Sequence, residues 1–147
     1  MFIKELHNKS YILPTLSKKG VTMRSTTGHI IFPKKMKYKD LVPIYEDLYM
    51  RFLKETGQVE EEEDRNHMLV RLNLLDLENN RKPEGHNRNC RTKMVFPITD
   101  GNVQFYIKAN SKSSEVTKVT ESISKLLDDN DYDHTVEWDK LSHFYKK

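Results

Sequence analysis

The sequence predicts an α+β protein. One domain over residues 1–147 reads β-α-β-β-β-α-β, a mainly antiparallel sheet with two helices packed on one face. Three observations lead there. Two stretches, Leu41–Thr56 and Val116–Leu127, repeat apolar residues at helical spacing. The segments around them are short apolar or alternating runs bounded by Gly, Pro or Asp. One pair of those runs is joined by Asp100-Gly101, the preferred centre of a two-residue hairpin turn.

The first strand is GHIIFP, bounded by Gly28 and Pro33. Helix one follows, with Asp40 as the expected N-cap and Pro43 in the first turn, where a missing N–H costs nothing. Its apolar stripe is Leu41, Ile44, Tyr45, Leu48, Phe52 and Leu53, and Gly57 is a natural terminator. The run HMLVRLNLLDL is apolar at period two on both faces, which reads as an interior strand. Beyond a loop at 78–93, closure at Asp100-Gly101 pairs Ile98 with Val103, Phe96 with Phe105 and Met94 with Ile107. A slip of one residue would turn that set to water, so the register is well specified. Pro97 donates no ladder hydrogen bond and marks an edge or a bulge. Helix two opens in the cluster Ser111, Ser113, Ser114, carries Val116, Val119, Ile123, Leu126 and Leu127, and gains an i,i+4 pair from Glu121 and Lys125. HTVEWD gives a last strand, and a tail holds Phe144 and Tyr145.

Charge is segregated along the chain behind a net +3. Between His7 and Lys39 stand eight basic residues and no acid; from Asp40 to Asp64 there are nine acids and two bases. Leu126–Asp139 carries six acids and no base. Such blocks either attract an anionic partner or neutralise one another within the fold or across a homodimer. A basic N-terminal arm covers about 1–27. No run approaches the roughly 20 apolar residues of a membrane span, and the N-terminus lacks the pattern of a secretory signal. A single cysteine fits a reducing compartment, which places the protein in the cytoplasm. One alanine against 18 lysines and 10 asparagines points to an AT-rich genome, as in many viruses and phages and in some bacteria and parasites; for a virus the compartment would be the host cytoplasm.

Several chemistries fail on spacing. Asp129, Asp131 and Asp133 alternate, but a calcium loop starting there needs Gly and Glu where His134 and Lys140 stand. His86 and Cys90 supply two zinc ligands where three or four are needed. Cys90 as a nucleophile has Arg88 and Arg91 to lower its pKa but no evident base. Neither a glycine-rich phosphate loop nor a GxSxG elbow can be drawn. No cofactor is called for, and no catalytic residue is assigned.

The loop ENNRKPEGHNRNCRTK is long for a connection between strands, and such loops are usually either functional or simply solvated and mobile. Asn, Gly and Pro are expected to keep it open, with phosphate-capable donors along it. The reading that follows is a small non-enzymatic binding protein. It contacts nucleic acid or another polyanion through the basic segments 18–39 and 81–93. The site residues are Lys34, Lys35, Lys37, Lys39, Arg81, Lys82, His86, Arg88, Arg91 and Lys93. Alternatives are a viral or phage-type interaction factor acting on an anionic protein surface, and an enzyme of unrecognised type.

The predicted order α-β-β-β-α over about Leu41 to Leu127 resembles a double-stranded RNA-binding domain. In that family a Gly-Pro-x-His loop enters the minor groove, and here Pro83-Glu84-Gly85-His86 stands in its place. The resemblance implies that His86 reaches a groove. The lysine cluster that opens the family's second helix is replaced here by Lys112-Ser113-Ser114-Glu115-Val116-Thr117-Lys118. Flanking strands near residues 30 and 136 fit a ferredoxin-like sheet.

Overall fold

A computed structural model describes residues 24–58, 63–87, 90–99 and 101–140. Five strands form one antiparallel sheet: β1 (Ser25–Ile31), β2 (Gly85–His86), β3 (Thr92–Val95), β4 (Gln104–Ser113) and β5 (Thr135–Trp138), in the order β2-β3-β4-β1-β5. Among the described residues three α-helices accompany it: α1 (Val42–Glu55), α2 (Glu63–Glu78) and α3 (Ser114–Asp129). With α2 and β2 set aside, α1 links the parallel pair β1 and β3, while α3 links β4 and β5. Each pair is split by a third strand. That is the ferredoxin-like arrangement that the strands near 30 and 136 suggested. The α+β class holds.

One predicted strand is a helix. HMLVRLNLLDL lies within α2, sixteen residues long. Its period-two pattern is also satisfied by a helix with two apolar stripes. Asn66, Val70, Asn73 and Leu77 are buried, with spacings of four, three and four that only a helix puts on one side. Leu, Met, Arg and Glu are good helix formers, and Val70 and the following residues lack the β-branched enrichment of a strand. The order among the described residues is therefore β-α-α-β-β-β-α-β, with three helices in place of two.

Each helix stops by the same device. Gly57, Asn80 and Asp131 have φ of 74°, 57° and 65°, the left-handed conformation that turns a chain out of a helix. Around them, the amides of Gln58, Arg81 and Tyr132 donate back to the carbonyls of Leu53, Asp76 and Leu127 at 2.8, 2.7 and 2.9 Å. At the other end of α3, the Ser113 side chain accepts from the Glu115 amide at 3.0 Å, so the serine cluster opens the helix as expected. Asp40 works one turn earlier than expected. It closes the 3-10 turn Tyr38–Leu41 by accepting from the Lys37 amide at 2.9 Å, and α1 begins behind it with Pro43 in its first turn.

The hairpin register is the predicted one where the ladder exists. Met94 faces Ile107, and the Phe96 and Phe105 rings lie 5.1 Å apart, both buried. The strand ends sooner than predicted. β3 stops at Val95, ahead of Pro97, and Ile98 is 91% exposed instead of facing Val103. The Val103 carbonyl is taken by the Phe32 amide at 3.0 Å, so this end of β4 serves β1. Asp100, and with it the turn type, lies outside the described residues, as does the tail with Phe144 and Tyr145.

The core lies on one side of the sheet. Gly28 marks it, since a Cβ there would run into Thr120 of α3 and the Trp138 ring. Ile30, Phe105 and Ile107 share that face with Val116, Val119, Ile123 and Leu127 of α3, all fully buried. Tyr45 of α1 stands 6.3 Å from Phe96 on the same side. Lys125 pairs with Asp129 at 3.4 Å rather than with Glu121. The Glu121 carboxyl is half-buried, and desolvation raises its pKa.

His29 faces away from the helices, beside Tyr106 at 5.1 Å, yet is 2% exposed. Burial lowers its pKa from 6.5 to about 4, helped by the Lys140 charge and opposed by Glu137 and Asp139. A histidine harder to protonate folded than unfolded costs nothing above pH 6.5. It destabilises progressively as pH falls from about 6.5 to 4, because the unfolded chain takes the proton first. The loss across that window is expected to be on the order of 2–3 kcal/mol. Denaturant midpoints measured through it should fall less for His29→Gln than for the wild type; parallel curves would refute the assignment.

Candidate polyanion-binding surface

The turn between β1 and α1 holds four of the predicted site residues. Lys34, Lys35, Lys37 and Lys39 are all exposed, and no ion pair engages them among the described residues. The turn itself is fixed. The Met36 amide donates to the Pro33 carbonyl and the Asp40 amide to the Lys37 carbonyl, each at 3.0 Å. Leu41 is fully buried beneath it. Two side chains from distant elements anchor its rim. The Lys39 amide donates to the Asn80 Oδ1 at 3.2 Å, and the Tyr132 hydroxyl donates to the Asp40 carbonyl at 2.9 Å.

Asn80 is the consequential contact. As the left-handed residue that ends α2, it ties the start of the segment carrying Arg81 and Lys82 to the lysine turn. Arg81 is exposed and bonds Asp76 at 3.1 Å, while the Lys82 ammonium lies 3.4 Å from the Pro83 carbonyl. The two segments joined by the Lys39–Asn80 bond carry six cationic side chains, together with the carboxylates of Asp40 and Asp76. Tyr132 brings the acidic turn Asp129–Asp133 to the far rim.

The rest of the predicted loop is elsewhere, and it is not open. The buried Asn73 side chain clamps it, its Nδ2 donating to the Gly85 carbonyl and its Oδ1 accepting from the Glu84 amide, both at 3.1 Å. Gly85 and His86 then pair with Val95 and Met94. Only glycine suits residue 85, where φ is 82° and a Cβ would strike the Met94 carbonyl. His86 is 3% exposed, with Nδ1 2.7 Å from the Tyr49 hydroxyl, Nε2 3.0 Å from the Gln58 Oε1, and the Phe52 ring at 5.3 Å. It is held in the interior and does not reach out towards a groove, as the resemblance implied it would. Arg88 lies outside the described residues, as do Lys18 and Lys19.

Arg91 and Lys93 sit at the opposite end of β3. Gly85 pairs with Val95 at one end of that strand, and Thr92 pairs with Ala109 at the other, about 10 Å away. Arg91 makes a two-point pair with Glu115, Nε–Oε1 at 3.2 Å and Nη2–Oε2 at 3.1 Å, which holds its proton still more firmly. The Thr92 hydroxyl donates to the same carboxylate at 2.5 Å. Lys93 faces Lys108 across the ladder on the side away from the helices. Cys90 is half-buried, its thiol 3.2 Å from the Thr92 carbonyl. Among the described residues no group of three or more His, Cys, Asp or Glu is placed to hold a metal ion, and no helix is long and apolar enough to cross a membrane.

Sequence reasoning overlooked Asn80 and Asn73. The signal for Asn80 was present: asparagine is the commonest left-handed helix terminator after glycine. It is legible only once the preceding run is read as a helix. Comparison with protein-family models, with curated proteins and with solved structures gives no match.

Proposed function

We propose that this is a non-enzymatic binding protein for a polyanion, nucleic acid first, held by Lys34, Lys35, Lys37 and Lys39 together with Arg81 and Lys82. The observation that carries the reading is the Lys39–Asn80 hydrogen bond. It ties together two basic segments that lie more than forty residues apart in sequence. Lysines with no ion pair among the described residues offer their charge to an external phosphate, and a turn braced on both rims loses little freedom on binding. Arg91, already paired with Glu115, is expected to contribute less.

Neutralising several phosphates releases counterions, so log affinity should fall steeply with log salt, by about 0.9 per contact on duplex DNA. The triple variant Lys34→Ala, Lys35→Ala, Lys37→Ala should weaken binding and flatten that slope by about two to three units. Its melting temperature should match the wild type, since these side chains are exposed. Arg91→Ala should leave the slope nearly unchanged. Fluorescence anisotropy with labelled RNA and DNA duplexes across a salt series reads all of this. A wild type that binds neither duplex at low salt, or a triple variant indistinguishable from it, would overturn the reading and favour an anionic protein surface as the partner.

A further inference from the structure

Helix α2 has a second apolar stripe that nothing among the described residues covers. Met68, Leu72 and Leu75 fall at i, i+4 and i+7, and they are 56%, 51% and 52% exposed. They lie opposite the inward side chains Val70, Asn73 and Leu77. A helix apolar on both sides is normally covered on both. Scattered exposed leucines need no explanation, but three in one row on one helix form a contact surface.

The charges beside the stripe say what fits it. Arg71 and Glu78 are both exposed, two turns apart on the same flank, and neither has an ion-pair partner among the described residues. Turn a second α2 antiparallel, with a two-fold axis passing between Leu72 and Leu75. Each Leu72 then meets the other copy's Leu75, and each Arg71 stands about 3 Å along the axis from the level of the other copy's Glu78, an offset that two long side chains on the same flank can span. One operation satisfies both the apolar and the charged positions, twice over. That self-complementarity is what an isologous interface requires.

We infer that α2 is the contact between two copies of this chain, packed antiparallel through Met68, Leu72 and Leu75 and flanked by two Arg71–Glu78 pairs. A helix of sixteen residues is about 24 Å long, so a contact made by it alone sits at the small end of specific interfaces. The dimer should therefore be reversible and concentration-dependent. The inference is independent of polyanion binding, since it uses none of the lysines of the β1–α1 turn.

Sedimentation over a concentration series tests it, with a melting curve recorded for each variant. The wild type should pass from monomer to dimer, and Leu72→Asp should stay monomeric while melting normally, because that side chain is half exposed. Arg71→Glu alone and Glu78→Arg alone should each raise the dissociation constant roughly ten-fold or more. The double variant should recover, and an equimolar mixture of the two single variants should form a heterodimer, since the signs then match again. A wild type that remains monomeric at its solubility limit would overturn the proposal and leave the stripe to a different protein. So would charge variants that dimerise as the wild type does, or single variants that fail to rescue each other.

Discussion

Replacing Ile123 with aspartate is expected to leave the chain without a stable fold at ordinary temperature. Ile123 is fully buried, on the side of α3 that lies against β1 and β4. On the neighbouring flank, Arg51 of α1 donates to the Ser122 carbonyl at 3.1 Å and to its hydroxyl at 3.0 Å. The Ser122 hydroxyl in turn donates to Glu55 at 3.0 Å. These bonds hold α1 and α3 at close quarters, so α3 cannot roll to carry a new carboxylate into water. An aspartate there must either be buried charged without a partner or stay protonated far above its usual range, and both options cost several kcal/mol. A small domain has about 5–15 kcal/mol in hand, and the lost isoleucine contacts add to the deficit. Lys118→Glu, exposed on the opposite side of the same helix, should move stability by no more than about 0.5 kcal/mol. Circular dichroism and urea denaturation distinguish the two. Equal damage from both would mean that the buried side of α3 is misassigned.

What the sequence disclosed about this fold depended on how many independent signals met at one place. Helix one had a proline, a glycine and a six-residue stripe, and its ends fall within a residue of those predicted. The pairing of Met94 with Ile107 rested on a turn and an alternation that agreed. The α2 segment had periodicity alone, and an apolar run with residues on all sides fits a strand or a helix equally. What decides between them is which side is buried, Asn66, Val70, Asn73 and Leu77 inward with Met68, Leu72 and Leu75 left outside, and local pattern cannot weigh that. The same gap hid the site. The lysines were visible as a charge block, but the Lys39–Asn80 bond spans forty-one positions and depends on α2 being a helix that ends at Asn80. His86 misled for a related reason. A histidine in a polar loop looks available, and only Tyr49 and Gln58, contributed by α1 and the turn after it, reveal that its ring belongs to the interior.

Phe105→Ala should cost about 3–5 kcal/mol, the usual range for emptying a phenylalanine site in a close-packed core. Phe105 is fully buried at the middle of the sheet. It faces Ile30 across the β1–β4 ladder, and its ring lies 5.1 Å from Phe96 and 6.2 Å from Phe32. Three segments that meet nowhere else in sequence are therefore packed through one side chain. The residue also reports on the hairpin register. If Met94 faces Ile107, then Phe96 and Phe105 fall on the helix side, and truncating either should be costly. In the alternative register, slipped by one residue, one of them would be in water and its truncation nearly silent. Ile98→Ala provides the contrast, because a side chain that is 91% exposed has little burial to lose and should change stability by less than about 0.5 kcal/mol. Phe105→Leu should retain most of the apolar volume and fall well short of the alanine penalty. Urea midpoints at constant slope give the three values on one scale. If Ile98→Ala proved as damaging as Phe105→Ala, the ladder would have to continue past Pro97 to the turn, and β3 would be longer than its four residues.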